Sequence, residues 1–207
     1  MLVIVSKNVM KRIAALALFT LFCGVSAFPQ NPPEPTTSKN SSPEVWQTYE
    51  LAKGNFTVLF PRKPIETIST EEGITNYIYT SSPDENLLLA AYSLLGEDAE
   101  KWSEESTQSF YEGFWDGFSK TFEEKLKESN IKTKLESQQK ATLAGHEGIE
   151  FKFLLGPYRG RFLITKVGRH SYSVATFATE TFSREDQDKF VNSYKILTAA
   201  KTEPGKP

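Results

Sequence analysis

Residues 141–180 constrain the fold of this 207-residue chain more than any other stretch. Large apolar residues occupy every second position there, and the charged residues Glu150 and Lys152 lie between them: Ile149, Phe151, Phe153 and Leu155. A period of two is typical of a strand that has one buried face and one face in water. The pattern therefore predicts a strand over residues 149–155.

Two turn signals divide the same stretch into consecutive strands. Residues 156–160 (GPYRG) contain two glycines and a proline, which supply the backbone angles of a reversal, and a second turn is expected around Gly168 and Arg169. The segments 161–167 and 172–179 between and after these turns are predicted strands. Since parallel neighbours need a long crossover, short links indicate antiparallel pairing, and the sequence predicts a three-stranded meander.

The first 27 residues have the pattern of a secretory signal peptide. Basic residues precede an uncharged apolar run over 13–22, and Val25 and Ala27 stand at the −3 and −1 positions of a small-residue cleavage site. We therefore expect cleavage between Ala27 and Phe28, and an exported protein that is periplasmic or secreted. The apolar run is shorter than the about 20 residues that span a bilayer, so no membrane span is expected after cleavage.

Three alternatives for this end of the chain stay open: retention of the signal as an anchor, lipidation at Cys23, and initiation at Met10 in place of Met1. Cys23 is the only cysteine, so the cleaved chain forms no disulfide of its own. Cleavage also removes three basic residues and no acidic one, which takes the net charge from −2 to −5. This acidity argues against nucleic acid as a partner.

Composition divides the remaining chain into a linker, one domain and a tail. Residues 28–44 are rich in Pro, Ser and Thr and are predicted to be a disordered linker. The domain is expected over 45–197, and 198–207 is expected to be a disordered tail. Within the domain, alternation predicts early strands near 46–50 and 56–60, and one broken strand or two between 62 and 85. The apolar run 87–95 (LLLAAYSLL) is predicted to be a strand covered on both faces, although its composition also suits a helix.

From Ser103 or Ser106 the period changes to that of a helix. Aromatic and aliphatic residues recur at every fourth position, with charged residues opposite: Phe110, Phe114, Phe118, Phe122 and Leu126. This predicts an amphipathic helix whose aromatic stripe packs on the sheet. Residues 131–143 alternate again and predict a long strand, and Ser183 with Asp186 resembles a capping box that opens a last helix. The expected fold class is α+β, an antiparallel sheet flanked by helices.

Several motifs carry a family resemblance over residues 45–197. The first is Gly54-x-Phe56-x-Val58-x-Phe60-Pro61-x-x-Pro64, followed by a Gly-x-Glu-Gly turn at 145–148, a strand with Arg161, and a helix with Phe190-x-x-Ser193 that leads to Lys195-Ile196-Leu197. This pattern resembles the PsbP-like family. The resemblance implies an α/β/α sandwich and a non-enzymatic role, and the matched positions are structural ones that identify no functional residue.

Few residues offer catalytic or metal chemistry. His146 and His170 are the only histidines, and neither has a second ligand at metal-binding spacing. The chain contains no G-x-S-x-G nucleophile elbow, no P-loop and no dinucleotide fingerprint. No catalytic residue, metal site or cofactor is therefore predicted.

Four cations flank the predicted meander and form the candidate partner-binding surface: Arg159, Arg161, Lys166 and Arg169. A charge-balanced outer sheet face is the alternative explanation for them. The sequence favours an exported, monomeric, non-enzymatic binding or assembly module that holds a protein segment or small ligand in the cell envelope. The alternative is a small hydrolase with an unrecognised polar site that uses His146 or His170.

Overall fold

The computed structural model describes residues 45–71, 74–125 and 131–197, which contain ten strands and two α-helices. The predicted signal peptide with its cleavage site at Ala27 and Phe28, the linker and the tail lie outside the described residues. The strands are β1 (Gln47–Leu51), β2 (Phe56–Phe60), β3 (Ile65–Glu71), β4 (Ile74–Ser81), β5 (Leu87–Leu94), β6 (Thr133–Leu143), β7 (His146–Leu155), β8 (Tyr158–Val167), β9 (His170–Ala178) and β10 (Lys195–Ile196). The helices are α1 (Glu104–Lys125) and α2 (Arg184–Asn192), and a 3₁₀-helix spans Glu97–Lys101.

Seven strands form one antiparallel sheet in the order β3-β4-β5-β9-β8-β7-β6. The predicted meander is confirmed, because β7, β8 and β9 are neighbours joined by short turns. The apolar run that suited either a strand or a helix is the interior strand β5, which lies between β4 and β9. Its residues alternate between the two cores, with Leu87 and Leu89 on one side and Leu88 and Ala90 on the other.

Helix α1 packs its aromatic stripe on one face of this sheet, as predicted. Its four phenylalanines are buried: Phe110, Phe114, Phe118 and Phe122. The ring of Phe118 lies 4.9 Å from that of Phe153 on β7 and 6.2 Å from that of Phe177 on β9, measured between centroids. Ser103 caps the helix by accepting a hydrogen bond from the backbone N–H of Ser106 at 3.1 Å.

A second, three-stranded sheet in the order β1-β2-β10, together with α2, packs against the opposite face. Phe56 stacks on Tyr194 at 4.7 Å, and Phe60 lies 5.2 Å from Phe190 of α2. Ser183 caps α2 through the N–H of Asp186 at 3.0 Å, as the capping-box pattern predicted. β1 and β2 were expected from their alternation, whereas β10 and the separation of this sheet from the main sheet were not.

Two of the predicted turns are shorter than the sequence indicated. Only residues 156–157 and 144–145 form the turns that flank β7, so Tyr158 to Gly160 belong to β8 and His146 to Gly148 belong to β7. Gly160 pairs with Phe153, and an added Cβ at Gly160 would collide with the Phe153 ring. That glycine therefore makes room for an aromatic ring within the sheet rather than for a reversal.

The regular alternation expected over 131–143 is wrong, because a bulge at Glu136 interrupts the pairing of β6 with β7. Leu135 pairs with Phe153 on the α1 side, whereas Leu143 belongs to the core of the other side. An extra residue in one strand reverses the facing of everything beyond it. Leu135 is 37% exposed. None of the helices within the described ranges has the length and apolar character that crossing a membrane requires.

Candidate functional site

The four predicted surface cations do not lie on one surface. Arg159 and Arg161 point to the α2 side of β8, while Lys166 points to the α1 side and Arg169 lies in the turn between β8 and β9. Arg159 is 68% exposed and has a carboxylate oxygen of Glu136 at 4.0 Å. The structure therefore divides these cations between two sides of the sheet.

Arg161 is the most extensively paired of the four. Its guanidinium donates to Glu150, whose side chain is only 3% exposed, and to Asp188 of α2 at 2.6 Å. The amide of Gln139 also donates to Glu150 at 2.7 Å, and the ammonium of Lys152 lies 3.4 Å from it. Arg161 thus links α2 to the sheet through Asp188. It is also one of several cationic or hydrogen-bonding groups around the buried Glu150 carboxylate.

Arg169 also has a structural partner. Its guanidinium donates to the backbone carbonyl of Leu95 at 3.2 Å, and its own carbonyl accepts from the N–H of Leu95 at 2.9 Å. These bonds tie the β8–β9 turn to the segment that follows β5. The role of Arg169 in the described structure is to fix this turn.

Lys166 instead faces a groove of about 480 Å³ between the start of α1 and the strands β6, β7 and β8. Residues of α1, of the segment before it and of the three strands line this space, which we call the Lys166 groove: Trp102, Glu104, Thr107, Gln108, Tyr111, Lys140, Ala141, Thr142, Glu147, Gly148, Ile149 and Lys166. Both signs of charge are present on its rim, and Ile149 gives it an apolar floor. The groove is open enough for a side chain or a small molecule to enter.

The ammonium of Lys166 is partly withdrawn from water, and among the described residues it forms no ion pair. Its Nζ lies 5.6 Å from the centre of the Trp102 ring, a cation–π contact. Burial lowers the pKa of Lys166, and the more distant charge of Glu100 opposes this effect only in part. Within the described ranges no carboxylate forms an ion pair with this ammonium. A partly desolvated cation without an ion pair is a ready partner for an anionic group.

Two aromatic residues fix the walls around Lys166. The Tyr111 hydroxyl accepts the backbone N–H of Lys166 at 3.1 Å, and burial raises the pKa of Tyr111 although this hydrogen bond lowers it. The Trp102 ring packs 5.6 Å from that of Phe110, and its indole N–H donates to Asp98 at 3.3 Å. With Phe110 and Lys166 against it, the Trp102 ring serves as a wall rather than as an open stacking platform.

A second groove, of about 460 Å³, lies on the opposite side of the same sheet edge. Its lining includes Leu143, Glu150, Arg161, Val191 and Tyr194. Ala141 and Thr142 of β6 line both grooves. The two spaces therefore flank one segment of the edge strand.

The two histidines lie outside both grooves. His170 has its Nδ1 2.8 Å from the Tyr92 hydroxyl, and its ring stacks on Tyr92 with centroids 5.7 Å apart. His146 is exposed at the start of β7. Over residues 45–71, 74–125 and 131–197, no group of three or more His, Cys, Asp or Glu side chains is placed to hold a metal ion.

Of the residues that line this groove, only Lys166 is among the candidate site residues indicated by the sequence. Tyr111 offered a signal, because it places a hydroxyl beside a stripe of phenylalanines on a helix. Trp102 offered another, because it stands just before the start of that helix. The lining residues Lys140 and Glu147 had no such sequence signal, since their position beside the groove depends on how β6 and β7 pair.

Comparisons with known proteins give a match among solved structures only. No family model matches the sequence, and no curated protein matches it. The chain is similar to cyanobacterial PsbP (CyanoP) from Synechocystis sp. PCC 6803, with a TM-score of 0.51 and 14% identity over 79% of this chain and 99% of that one.

Two further solved structures have lower TM-scores. One is a Bacteroides thetaiotaomicron protein, with a TM-score of 0.38 and 10% identity over 73% of this chain and 48% of that one. The other is a Pseudomonas aeruginosa protein of unknown function, with a TM-score of 0.29 and 12% identity over 65% and 83%. These two similarities are too weak to inform the fold.

The similarity to CyanoP agrees with the antiparallel α+β architecture and with the motifs read from the sequence. At 14% identity such a likeness shows the fold and not the activity. The chain has a PsbP-like fold.

Proposed function

We propose that this protein is an exported, non-enzymatic binding or assembly module of the cell envelope, built as a PsbP-like sandwich with helices on both sides of the sheet. Its site is the Lys166 groove, where it holds an anionic group carried by a protein segment or a small ligand. The observation that carries the proposal is the partly buried Lys166 ammonium, which lies over the Trp102 ring and forms no ion pair with a described residue.

The contrast with Arg161 supports this assignment. Arg161 forms ion pairs with Glu150 and Asp188, so its guanidinium is largely engaged within the protein and is a poor binding group for a partner. Lys166 keeps its charge in a site that disfavours it, since burial lowers its pKa. At about 4 Å, an opposite charge near a protein surface interacts by roughly 4 kcal/mol before desolvation is subtracted. An incoming anion can therefore form with Lys166 the direct ion pair that the described residues do not form with it.

The lining of the Lys166 groove supports a binding role over a catalytic one. General acid–base catalysis needs groups whose pKa values suit proton transfer, and covalent catalysis needs a nucleophile beside a base. The groove has neither histidine, and its Tyr111 hydroxyl is engaged with the backbone. Export is supported by the signal-peptide pattern that ends at Ala27.

Isothermal titration calorimetry tests the proposal with a panel of capped short peptides and small organic ions of both charges. We expect anionic members to bind the wild-type protein, and Lys166→Gln to weaken that binding at least about tenfold, which is 1.4 kcal/mol. Lys53→Gln is the matched control, because Lys53 is exposed in the β1–β2 hairpin. Unchanged affinity in Lys166→Gln, or a panel without an anionic binder, would refute the proposal.

A further inference from the structure

We propose that the outer edge of β6 accepts an extended segment of another protein as an additional strand, and that this segment directs acidic side chains into the Lys166 groove. This inference rests on the proposed function and deepens it, because it names the class of partner. The occupant is a segment in which acidic and apolar residues alternate.

The first support is the edge itself. β6 is an 11-residue strand at the end of the seven-stranded sheet, and its strand partner is β7 on one side. No other strand of the described ranges pairs with it, and most of its residues are exposed. An unpaired edge presents a row of N–H and C=O groups that can bond to an incoming chain.

The second support is the position of the two grooves on either side of this edge. Lys140 and Thr142 line the Lys166 groove, while Gln139 and Leu143 line the groove on the α2 side. Successive side chains of a strand point to opposite faces of its sheet. A strand added along residues 139–143 therefore sends alternate side chains toward one groove and then the other. Pockets for alternate side chains are what gives strand addition its sequence preference.

The third support is the chemistry of the two grooves. The Lys166 groove offers two cations, Lys166 and exposed Lys140, in a lining that also includes Glu104 and Glu147. The Lys166 ammonium forms no ion pair with a described carboxylate. In the groove on the α2 side the Glu150 carboxylate is already paired with Arg161, and Val191 is among the apolar residues of the lining. Acidic side chains therefore suit the first groove, and apolar side chains suit the second.

Charge also selects against a second copy of this chain as the occupant. β6 carries Lys134 and Lys140 against the single Glu136, so two β6 edges would bring like charges together. The bulge at Glu136 further distorts the edge for self-pairing. An acidic partner instead gains from Lys140, which lines the Lys166 groove.

The probe is an acetylated and amidated decapeptide in which valine and glutamate alternate. It is compared with a version that has lysine for glutamate, and with two versions N-methylated at either the valines or the glutamates. In a strand only one of these two sets of amides faces β6. We expect the parent peptide to bind and the lysine version to bind at least about tenfold more weakly. One methylated version, but not the other, should also lose affinity by at least about tenfold. Each tenfold loss corresponds to about 1.4 kcal/mol. Hydrogen exchange of residues 137–143 is expected to slow on binding, with no change in β3 at the other edge.

Equal binding of both methylated versions and the parent, or no slowing of exchange in 137–143, would overturn strand addition. Sensitivity of the same peptide to Lys166→Gln would then still support the proposed function, so the two failures are distinguishable. Failure of the parent peptide to bind would overturn the inference even if another anion occupies the groove.

Discussion

Replacing Phe118 by alanine removes the ring at the centre of the contact between α1 and the sheet. Phe118 is 1% exposed, and its centroid lies 4.6 Å from that of Phe122, 4.9 Å from Phe153 and 5.4 Å from Trp115. Loss of the buried ring costs about 1.5–3 kcal/mol in transfer free energy, and each close aromatic pair adds about 0.5–1.5 kcal/mol. We expect a total near 4 kcal/mol, within the usual range for such core truncations. For a domain of this size the melting temperature falls by roughly 8–16 °C.

Urea unfolding followed by far-UV circular dichroism measures this change. Ile68→Ala is the matched control, because Ile68 is 54% exposed on β3, and we expect it to stay within about 0.5 kcal/mol of wild type. A loss of less than about 1 kcal/mol for Phe118→Ala would show that α1 does not pack on the sheet in this way.

Three further predictions concern single positions. Gly160→Ala should lower the free energy of unfolding by about 1–3 kcal/mol, because its Cβ meets the buried Phe153 ring; a neutral effect in urea unfolding would contradict this packing. Ser183→Ala should cost about 1 kcal/mol by removing the α2 cap, while Ser183→Asp should retain most of it; equal losses in the two variants would argue against capping. Burial raises the pKa of Tyr194 above its ordinary 10.0, so the folded state keeps a proton that the unfolded state releases near pH 10. The contribution of Tyr194 to stability is complete below that pH and is lost as the pH rises. Ionisation of Tyr194 in the still-folded protein near pH 10, followed by tyrosinate absorbance, would contradict this.

The elements predicted well are those with a local period. The meander and α1 follow from alternation over residues 149–179 and from the four-residue spacing of Phe110 to Phe122, and both are present. The second sheet could not be predicted, since β2 joins β10 about 140 positions away along the chain. Alternation shows that a segment is a strand, but it does not say which strand it pairs with.

The candidate site was less predictable for the same reason. Charge in the sequence marked Arg161 and Lys166 alike. Only the fold puts Glu150 and Asp188 beside Arg161, while no carboxylate of the described residues forms an ion pair with Lys166. The bulge at Glu136 also has no local sequence signal, although it changes which side chains of β6 face each groove.

Chemical-shift mapping of the ¹⁵N-labelled protein tests the central claim, recognition of an anionic group beside Lys166, most directly. Adding the alternating valine–glutamate decapeptide should shift the amide signals of Thr107, Tyr111, Gly148 and Lys166, which line the groove. In Lys166→Gln these shifts should need at least about tenfold more peptide to develop, and in Lys53→Gln they should develop as in the wild type. Shifts that cluster on β3 or on the β1–β2 hairpin instead, or that titrate alike in Lys166→Gln and the wild type, would contradict the account.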